Sequence, residues 1–413
     1  MQDQIQKIWQ EEIMRQQSEI NLIASENYAS KAVMMLQGSE FTNKYAEGYP
    51  GARYYAGCGP SDQIENLAID QGKKLFKADF MNVQPHSGSS ANAAVYQALL
   101  KPGDALLGLS IKDGGHLTHG VKVNFSGQIY DAHTFGIHSV SQIDYDDLRK
   151  KALACRPKLI VVGFSSFSGL VDWKKCREIA DEVGAWLHAD IAHVSGLIAA
   201  NLYPSPVPYA DVVTSTTHKT LRGPRSGIIF GRANEVLEKK INKAVFPGSQ
   251  GGPLMHVIAA KAQAFSEALQ PEFISYQKMI LDNARALSES LQSHGLSVLG
   301  GVTENHMLIV DCTPSGLTGK QAEEKLQENG IIVNRNGIKD DPLPPSISSG
   351  IRIGVPAVTT RGMQPSEMKT IAELIAKVLL QNESVSEQVM AMCHQYPIPN
   401  YPSLKHSSSN EGM

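Results

Sequence analysis

The chain has 413 residues, of which 19% are charged, and its formal net charge at pH 7 is -3. Lysine and arginine are scattered without a basic run, so we expect no nucleic-acid partner. The apolar runs are far shorter than the ~20 residues that cross a membrane, so we expect no membrane span. This length exceeds one ordinary core and predicts a large domain with a smaller second one.

The cysteines and the N-terminal sequence indicate the cellular compartment that we expect for the protein. The cysteines are odd in number and lack CxxC or metal-ligand spacing, which is typical of free thiols in a reducing cytoplasm; they are Cys58, Cys155, Cys176, Cys312 and Cys393. The N-terminal stretch mixes acidic and basic residues without a small-residue cleavage site, so neither a signal peptide nor a transit peptide is indicated. We therefore expect a cytoplasmic protein without disulfides.

The first predicted element is an amphipathic helix, because Ile5, Ile8, Trp9 and Ile13 recur at helical spacing. A terminal helix with one apolar face often packs on a partner subunit. Residues 21–55 are rich in glycine, tyrosine and asparagine with little periodicity. They predict a long ordered loop, and loops of this length in compact proteins are usually functional. A capped helix is predicted over residues 61–77.

A strand, a glycine-serine turn and a helix are predicted in succession over residues 80–100. Backbone N–H groups and the positive end of the helix dipole at Ser87, Gly88, Ser89 and Ser90 suit a phosphate group. A serine-rich cap that serves only the helix is the alternative.

Further strands are predicted over residues 104–109, 157–164, 185–189, 211–214 and 227–231. Helical stretches such as residues 172–183 separate them. Alternating strands and helices imply a mainly parallel sheet that is covered on both faces.

Two of these strands lead directly to ionisable side chains. Asp190 follows an apolar strand, where a buried carboxylate could hold the ring nitrogen of a cofactor protonated, or could cap the next helix instead. His193 could serve the same ring or be a core histidine. His116 and His119 lie on a glycine-rich loop, where an imidazole could stack on a ring. Two histidines at this spacing make a weak metal site, and we expect no metal.

Residues 211–227 contain a β-branched run, several hydroxyl residues and then a lysine flanked by histidine. Lys219 follows the strand's carboxyl end, where open α/β sheets place ligands, and partial burial there favours a nucleophilic amine. The hydroxyls of residues 215–217 and the guanidinium of Arg225 suit an anion. Together with Asp190, these features indicate a pyridoxal phosphate pocket in which Lys219 is the Schiff-base lysine. A solvated lysine at a polar strand end is the alternative.

A long helical region is predicted over residues 254–293, with a domain boundary near residue 276. Beyond it, short apolar strands alternate with a helix, which predicts a smaller α+β domain. The expected organisation is an N-terminal arm (1–35), a large cofactor-binding domain (36–276) and a small C-terminal domain (277–413). Arg352 interrupts one of the late strands with an obligate cation, which favours a bidentate grip on an amino-acid carboxylate over a structural salt bridge.

The chain resembles the serine hydroxymethyltransferases, a family of fold-type I pyridoxal-phosphate enzymes, over nearly its whole length. The stretches that match are LIASENY, TNKYAEGYPGARYY, NVQPHSGSSAN, GGHLTHG, DIAHVSGL, TSTTHKTLRGPRSG, FPGSQGGP and SGIRIG. The resemblance implies an α/β fold with a mainly parallel central sheet covered by helices, a smaller C-terminal α+β domain and an N-terminal helical arm. It also implies a homodimer with shared active sites. The reaction implied is reversible transfer of the hydroxymethyl carbon of L-serine to tetrahydrofolate, giving glycine and 5,10-methylenetetrahydrofolate.

The resemblance also implies where the cofactor is held. Lys219 would bind it covalently, Asp190 would contact the pyridine nitrogen, and His116 would stack over the ring. The remaining cofactor-binding residues would be Ser87, Gly88, Ser89, Ser165, His193, His218, Arg225 and Tyr45, with Gly251 from the neighbouring subunit. The catalytic set would be Lys219, Glu47, His116, Asp190, His193, Tyr55 and His218.

Substrate contacts are implied in the same way. Arg352 would bind the substrate carboxylate, with Ser25, Ser165 and His193 close by. Four residues of the tyrosine-rich loop would be presented largely across the dimer interface: Tyr45, Glu47, Tyr54 and Tyr55. Folate would lie near Ile111, Gly115, His116, Leu117, Asn336, Pro344, Pro345 and Ser346.

The sequence departs from the family pattern at Cys58-Gly59-Pro60 and at Lys112-Asp113, and the second change adds charge near the presumed folate loop. Two other functions remain open at this point. A folate-independent aldolase acting on β-hydroxy amino acids would use the same Lys219, Asp190 and Arg352, and Asn336 with the loop at residue 344 favours folate only weakly. An inactive oligomeric scaffold is the third possibility, and the intact lysine, aspartate and arginine argue against it.

Overall fold

The structure is a computed structural model, and it describes residues 2–399. Within these residues the α-helices are α1 (Gln2–Ser18), α2 (Lys31–Gln37), α3 (Gly59–Phe76), α4 (Gly88–Leu99), α5 (Phe125–Ile129), α6 (Tyr145–Cys155), α7 (Trp173–Val183), α8 (Ser195–Ala199), α9 (Glu235–Lys243), α10 (Met255–Ala268), α11 (Pro271–Ser293), α12 (Gly319–Glu328), α13 (Pro356–Thr360), α14 (Pro365–Ala376) and α15 (Ser386–Gln395). Short 3-10 turns span Glu40–Asn43, Ile111–Asp113 and Thr313–Ser315, and π-helical turns span Ala244–Ser249 and Lys377–Gln381.

The strands of the same part of the chain are β1 (Ile20–Asn21), β2 (Gly48–Tyr49), β3 (Ala52–Arg53), β4 (Phe80–Asn82), β5 (Ala105–Leu109), β6 (Asp131–Phe135), β7 (Ile137–Ser139), β8 (Gln142–Ile143), β9 (Leu159–Gly163), β10 (Trp186–Asp190), β11 (Val212–Thr216), β12 (Gly227–Gly231), β13 (Ser297–Val298), β14 (Met307–Asp311), β15 (Ile331–Ile332), β16 (Asn334–Asn336) and β17 (Gly350–Gly354).

Seven strands form the central sheet in the order β4-β12-β11-β10-β9-β5-β6. The five strands from β11 to β6 run parallel to their neighbours, whereas β12 is antiparallel to both β11 and β4. The predicted α/β class is therefore confirmed, and the sheet is mixed because one strand is reversed. The carboxyl ends of the other six strands share one edge of the sheet.

Both faces of this sheet are buried, and β9 shows how. Ile160 and Val162 point into the larger apolar core, while Leu159 and Val161 point into a smaller one on the opposite face. Because successive side chains of a strand alternate between faces, a strand covered on both sides is apolar throughout. Helices α7 and α10 contribute to the larger core, and α4 and α9 contribute to the smaller one.

Helix ends follow local chemistry, as α7 illustrates. The side chain of Asp172 accepts a hydrogen bond from the backbone N–H of Lys175 at 3.1 Å and so caps the first turn. Gly184 ends the helix with a φ of 69°, a left-handed conformation that costs glycine little. The sequence prediction of a helix over residues 172–183 agrees with these bounds.

A second, antiparallel sheet has the order β13-β14-β17-β16. Helices α11 and α12 pack on it and α14 packs on α11, which gives the mixture of elements predicted for the last third of the chain. The predicted boundary at residue 276 lies inside α11, and the division into three domains stays a prediction. The last fourteen residues of the predicted small domain lie outside the described residues.

The N-terminal arm is bound to the C-terminal part of the chain. Strand β1 pairs in parallel with β15 through Ile20 and Ile331. The buried guanidinium of Arg361 donates to the carbonyl oxygens of Glu19 and Cys393 at 2.9 and 2.8 Å. These bonds fix the end of α1 against α15, which matters for the position of the segment that follows β1.

The structure departs from the sequence prediction in several places. Strand β6 of the central sheet was not among the predicted strands. Residues 21–55, predicted as one long loop, contain α2 and the hairpin of β2 and β3. The helical region over residues 254–293 is two helices, because Gln270 has extended backbone and Pro271 begins α11. None of the helices in residues 2–399 combines the length and hydrophobicity that a membrane span requires. All five cysteines are unpaired.

Candidate active site

Polar side chains gather at the edge where the parallel strands end. Lys219 follows β11, Asp190 ends β10, and Ser165 follows β9. The loop with His116 follows β5, and Ser87 lies between β4 and α4. Open α/β sheets bind ligands at this edge, because loops there diverge and leave a crevice.

Lys219 is a buried amine, with 8% of its surface exposed. Burial lowers the pKa of Lys219 to about 8, and the positive charges of Arg352 and Arg225 act in the same direction against the charge of Asp190. Its carbonyl oxygen accepts a hydrogen bond from Asn27 Nδ2 at 2.9 Å. A buried amine with a pKa near neutrality is partly unprotonated at physiological pH and can act as a nucleophile.

Asp190 is a carboxylate that is held in its charged form. Burial alone would raise the pKa of Asp190, but hydrogen bonds from His119 Nε2 at 3.1 Å and from Asn92 Nδ2 at 2.9 Å reverse this effect, and the pKa lies far below its usual range. The second carboxylate oxygen accepts from the backbone N–H of Ala192 at 3.1 Å. The result is a fixed negative charge at the bottom of the crevice.

The tautomers of the two neighbouring histidines follow from their hydrogen bonds. His116 Nδ1 accepts from the backbone N–H of Thr118 at 3.2 Å, so His116 carries its proton on Nε2. His119 Nδ1 accepts from the backbone N–H of His116 at 3.3 Å, so His119 Nε2 is the donor to Asp190. Burial lowers the pKa of His116 to about 4, which keeps its ring neutral and suited to stacking.

Ligand atoms of His116, His119 and Asp190 lie within 4.8 Å of one another. Such spacing would permit a metal ion. However, the hydrogen bond between His119 and Asp190 already uses both groups, and His116 Nδ1 is an acceptor for Thr118. The cluster therefore fits a hydrogen-bonded support for Asp190 better than a set of free metal ligands.

His193 forms a stacked pair with a histidine that the sequence analysis did not identify. Its Nδ1 lies 3.3 Å from His306 Nε2, and the two ring planes are inclined by 22°. Burial lowers the pKa of both histidines, that of His306 to about 3, and the charges of Lys219 and Arg352 add to the effect. Both rings are therefore neutral near pH 7.

The serine turn, defined here as residues 87–90, opens α4 toward the same crevice. Ser87 and Ser90 cap the helix reciprocally, with Ser87 Oγ accepting from Ser90 N at 3.1 Å. A Cβ atom at Gly88 would lie 2.6 Å from Thr216 Cγ2, so only glycine fits there. Ser87 and Ser89 are exposed, and the free N–H groups of the first turn suit an anion.

Two side chains near the serine turn are available to an anion. His218 Nδ1 is buried without a hydrogen-bond partner in the described part of the chain, and burial lowers the pKa of His218 to about 3. Arg225 is exposed, and its charge acts on the pKa of both His218 and Lys219.

Arg352 is a cation without a counter-ion. Its Nη1 donates to the carbonyl of Ser165 at 2.6 Å and its Nε donates to Asn334 Oδ1 at 3.1 Å. Burial lowers its pKa to about 10, and among residues 2–399 no carboxylate forms an ion pair with it. Two neutral acceptors thus aim the guanidinium while its charge stays available for an anionic ligand. Ser25 is half-buried on the segment that follows β1.

The tyrosine-glutamate patch, defined as Tyr45, Glu47, Tyr54 and Tyr55, has the opposite character. Its tyrosines are 54%, 75% and 46% exposed in that order. The patch lies against the loop of residues 246–252, where a Cβ atom at Gly251 would lie 3.1 Å from Glu47 Oε1. Glu47, Tyr54 and this loop line an open groove of about 580 Å³.

The residues predicted to contact folate lie on loops of two regions. Ile111 and Leu117 are exposed beside the buried Gly115, where a Cβ atom would lie 2.0 Å from Leu109 O. Asn336 ends β16 and is half-buried. The residues that follow include three that are exposed, Pro344, Pro345 and Ser346.

Asp341 shapes that second loop. Its carboxylate accepts hydrogen bonds from the backbone N–H groups of Ile338, Leu343 and Ser349 at 3.1, 2.9 and 2.8 Å. The first loop approaches the second, as the influence of Lys339 and Asp340 on the Asp113 carboxyl shows. The pKa of Asp113 is raised mainly by burial. The departure at Lys112-Asp113 therefore lies on the first loop, where that loop approaches the second.

Sequence reasoning missed several residues that hold the site together. Asn92 lies inside α4 and contacts Asp190 from 98 residues away. Asn334 and His306 support Arg352 and His193 in the same way. The only signal in the sequence was a polar residue on an otherwise apolar segment, which does not reveal a distant partner. Lys261 carries the clearest such signal, since it interrupts the apolar helix α10.

Comparison with known proteins gives a consistent result. The family model described as serine hydroxymethyltransferase matches residues 1–375. The chain is 54% identical over 395 residues to the serine hydroxymethyltransferase of Halorhodospira halophila, which covers 94% of this chain and 95% of the relative. It is 55% identical over 403 residues to that of Legionella pneumophila strain Lens, covering 96% and 97%, and 55% identical over 394 residues to that of Nitrosococcus oceani, covering 94% of each.

Proposed function

The chain belongs to the serine hydroxymethyltransferase family, and from this premise we propose that the crevice at the strand ends binds pyridoxal phosphate and an amino acid. The function is reversible transfer of the hydroxymethyl carbon of serine to tetrahydrofolate, giving glycine and 5,10-methylenetetrahydrofolate. The enzyme depends on pyridoxal phosphate and uses tetrahydrofolate as its co-substrate.

The residues present fit this cofactor. The buried imidazole nitrogen of His218, which lacks a partner, and the open N-terminus of α4 offer donors to a phosphate. The neutral form of Lys219 can attack an aldehyde carbon. The carboxylate of Asp190, charged despite its burial, matches a protonated ring nitrogen. Ser89, Ser165, Arg225 and Tyr45, with Gly251 of a second subunit, complete the proposed binding set.

Once bound, the cofactor withdraws electrons and so stabilises negative charge at the α-carbon of the amino acid. Asp190 keeps the ring nitrogen protonated, because His119 and Asn92 hold its charge in place. His116 offers a neutral ring face for stacking and an Nε2 proton for a hydrogen bond. His193, buried, neutral and paired with His306, adds a second imidazole close to Lys219 and Arg352.

Arg352 binds and orients the amino acid. A guanidinium makes two parallel hydrogen bonds to a carboxylate, and Ser165 and Asn334 already hold Arg352 in one orientation. Fixing the carboxylate also fixes which bond to the α-carbon faces the ring. We propose that Ser25 lies beside this carboxylate.

The site is shared between two subunits of a homodimer. The tyrosine-glutamate patch and Gly251 support this proposal, because aromatic surface as exposed as Tyr54 is typical of interfaces. Glu47 from one subunit then exchanges a proton with the serine hydroxyl or with folate at the other subunit's lysine. Tyr55 lies beside it, since the charge of Glu47 acts on Tyr55.

Folate binds between the two loops at the rim of the crevice. Backbone groups near Ile111, Gly115 and Leu117 form one side, and Asn336 with the loop Pro344, Pro345 and Ser346 forms the other. Asp341 keeps the second loop in place. Cytoplasmic location stays a prediction that rests on the composition and the unpaired cysteines.

The observation that carries the proposal is the buried amine of Lys219, whose pKa is set jointly by burial, Asp190 and Arg352. The test is an assay of glycine formation from serine with and without tetrahydrofolate. We expect folate-dependent formation of glycine and 5,10-methylenetetrahydrofolate in equal amounts. Equal rates of serine cleavage in both conditions would instead indicate a folate-independent aldolase.

A further inference from the structure

Lys261 is a lysine of α10 that is 1% exposed and has no role in the chemistry above. Its ammonium donates to three backbone carbonyl oxygens, those of Val83 at 2.5 Å, Gly227 at 2.7 Å and Pro85 at 3.3 Å. A buried lysine is expensive unless its donors are satisfied, so this arrangement calls for an explanation.

Three contacts with acceptors suit the three N–H groups of the charged amine, and the weakest of them is to Pro85 O, which also accepts from Ser226 Oγ at 2.9 Å. A neutral amine has two N–H groups, and its lone pair would face one of the carbonyl oxygens. Burial acts against the charge and lowers the pKa of Lys261 to about 7. Glu65 is the acid whose charge acts on it, but that carboxylate already bonds Arg53 Nη2 at 2.6 Å. In the described part of the chain, the charged form of Lys261 therefore has no ion-pair partner of its own.

The carbonyls that Lys261 holds belong to the two segments that shape the serine turn. Val83 and Pro85 belong to the segment that leads through His86 into Ser87. Gly227 packs against Ser87, since a Cβ atom at Gly227 would lie 2.1 Å from Ser87 O. Gln250 completes the support by donating from Nε2 to Gln84 O at 3.0 Å. Every carbonyl of residues 83–85 thus accepts a hydrogen bond from a side chain.

We propose that Lys261 is a positioning residue for the phosphate group of the cofactor, a proposal that rests on the function given above. By binding the carbonyls of residues 83, 85 and 227, it fixes the two segments that pack at the serine turn. A dianion bound nearby would favour the charged form of Lys261, and that form attracts the dianion in turn. Together these effects make the site selective for a phosphorylated ligand.

The test measures selectivity for the phosphate and not activity. Full-length chain freed of its cofactor is titrated with pyridoxal 5'-phosphate and with pyridoxal, which lacks the phosphate, and the two Kd values are compared. For Lys261→Met, which keeps the length but removes charge and donors, we expect the preference for the phosphorylated ligand to fall at least about tenfold. Affinity for pyridoxal is expected to stay within about twofold.

Arg361→Met is the matched control, because Arg361 is also a buried cation held by backbone carbonyls but contacts none of the segments at the serine turn. It is expected to lower the Tm while leaving the preference unchanged. If Lys261→Met does not fold, Lys261→Gln replaces it, because glutamine keeps two N–H donors without the charge. The same ratio of the two Kd values then tests the inference.

If the Lys261 variant keeps the wild-type preference for pyridoxal 5'-phosphate over pyridoxal, the inference is wrong. An equal loss of affinity for both ligands also overturns it, because that result would show a structural role. Failure of the wild-type chain to bind either ligand would overturn the proposed function itself. The two failures are therefore distinguishable in one experiment.

Discussion

The lysine pocket and the tyrosine-glutamate patch differ in burial. The lysine pocket is defined here as Lys219, Asp190, His116, His193 and Arg352. The pocket lies at the ends of buried strands, and Lys219 is only 8% exposed. The patch lies on a hairpin and loop, and its Tyr54 is 75% exposed. Asp190 and Arg352 have fixed hydrogen-bond partners in the chain.

A single chain supplies the charges that we propose for holding the cofactor and the substrate carboxylate, whereas it leaves the aromatic surface of the patch exposed. On the proposed function, the patch is therefore the part of the site that a second subunit completes. The predictions below either separate the two regions by their effects or show that the separation is wrong.

Loss of Lys219 should have the largest effect. Lys219→Ala is expected to lower folate-dependent turnover by at least about 10³-fold, because no other amine takes its place. Cofactor should remain bound without a covalent bond, since the serine turn and Asp190 are intact. Steady-state rates and the cofactor content after denaturation measure the two effects. Lys239→Ala, at an exposed lysine of α9, is the control; near wild-type turnover by Lys219→Ala would contradict the assignment.

Loss of Glu47 should affect the chemistry without affecting the pocket. Glu47→Gln is expected to lower transfer to tetrahydrofolate by about 10² to 10⁴-fold, the range of a removed acid or base. Cofactor content and serine binding should be unchanged, which spectroscopic titration with serine measures. Glu40→Gln, at an exposed glutamate nearby, provides the control. Weakened serine binding with normal transfer would place Glu47 outside the chemistry.

Loss of Arg352 should raise the KM for serine. Removing one partner of a desolvated charge pair costs roughly 2 to 5 kcal/mol of binding free energy. Arg352→Ala should therefore weaken serine binding strongly. Arg352→Lys should recover little, because an ammonium lacks the fork geometry. Asn334→Ala should have a smaller effect of the same kind, since it only releases Nε. An unchanged KM in both Arg352 variants would indicate a structural arginine.

The smallest effect concerns pH. Because the pKa of Lys219 is about 8, the rate at which the cofactor-free chain attaches pyridoxal phosphate should rise with pH and level off above about 8. Positive charge from Arg352 and Arg225 lowers this pKa and Asp190 raises it. Removing the charge in Arg352→Met should therefore shift the profile to higher pH. Rapid-mixing measurements of cofactor absorbance test the sign; a shift to lower pH would contradict it.

The sequence predicted those parts of the site that local patterns encode. Asp190 and Lys219 each follow an apolar run, and the structure has a strand ending at or just before each of them. The serine turn was also predicted from the sequence, because glycine and serine before a helix indicate a cap. Helix α7 was predicted with nearly its observed bounds, and the structure has an aspartate and a glycine at its two ends.

The rest depends on contacts that local patterns do not encode. Asn92 and His119 meet at Asp190 only after three segments have folded together. Helix α2 was missed because its seven residues show too little periodicity to distinguish them from the surrounding loop. The reversed direction of β12 was not predicted either, although residues 217–226 between β11 and β12 form a shorter connection than parallel strands usually need.

The shared site is tested most directly by hybrid dimers of Lys219→Ala and Glu47→Gln. After subunit exchange under mild denaturation, a hybrid has one site with both residues intact if Glu47 is contributed across the interface. We expect about a quarter of the wild-type activity to return, since half of the dimers are hybrids with one working site. Mixing Lys219→Ala with Arg352→Ala is the control and should restore nothing, because both residues belong to one pocket. A Lys219→Ala and Glu47→Gln mixture that stays inactive, with hybrids confirmed by mass spectrometry, would contradict the shared site.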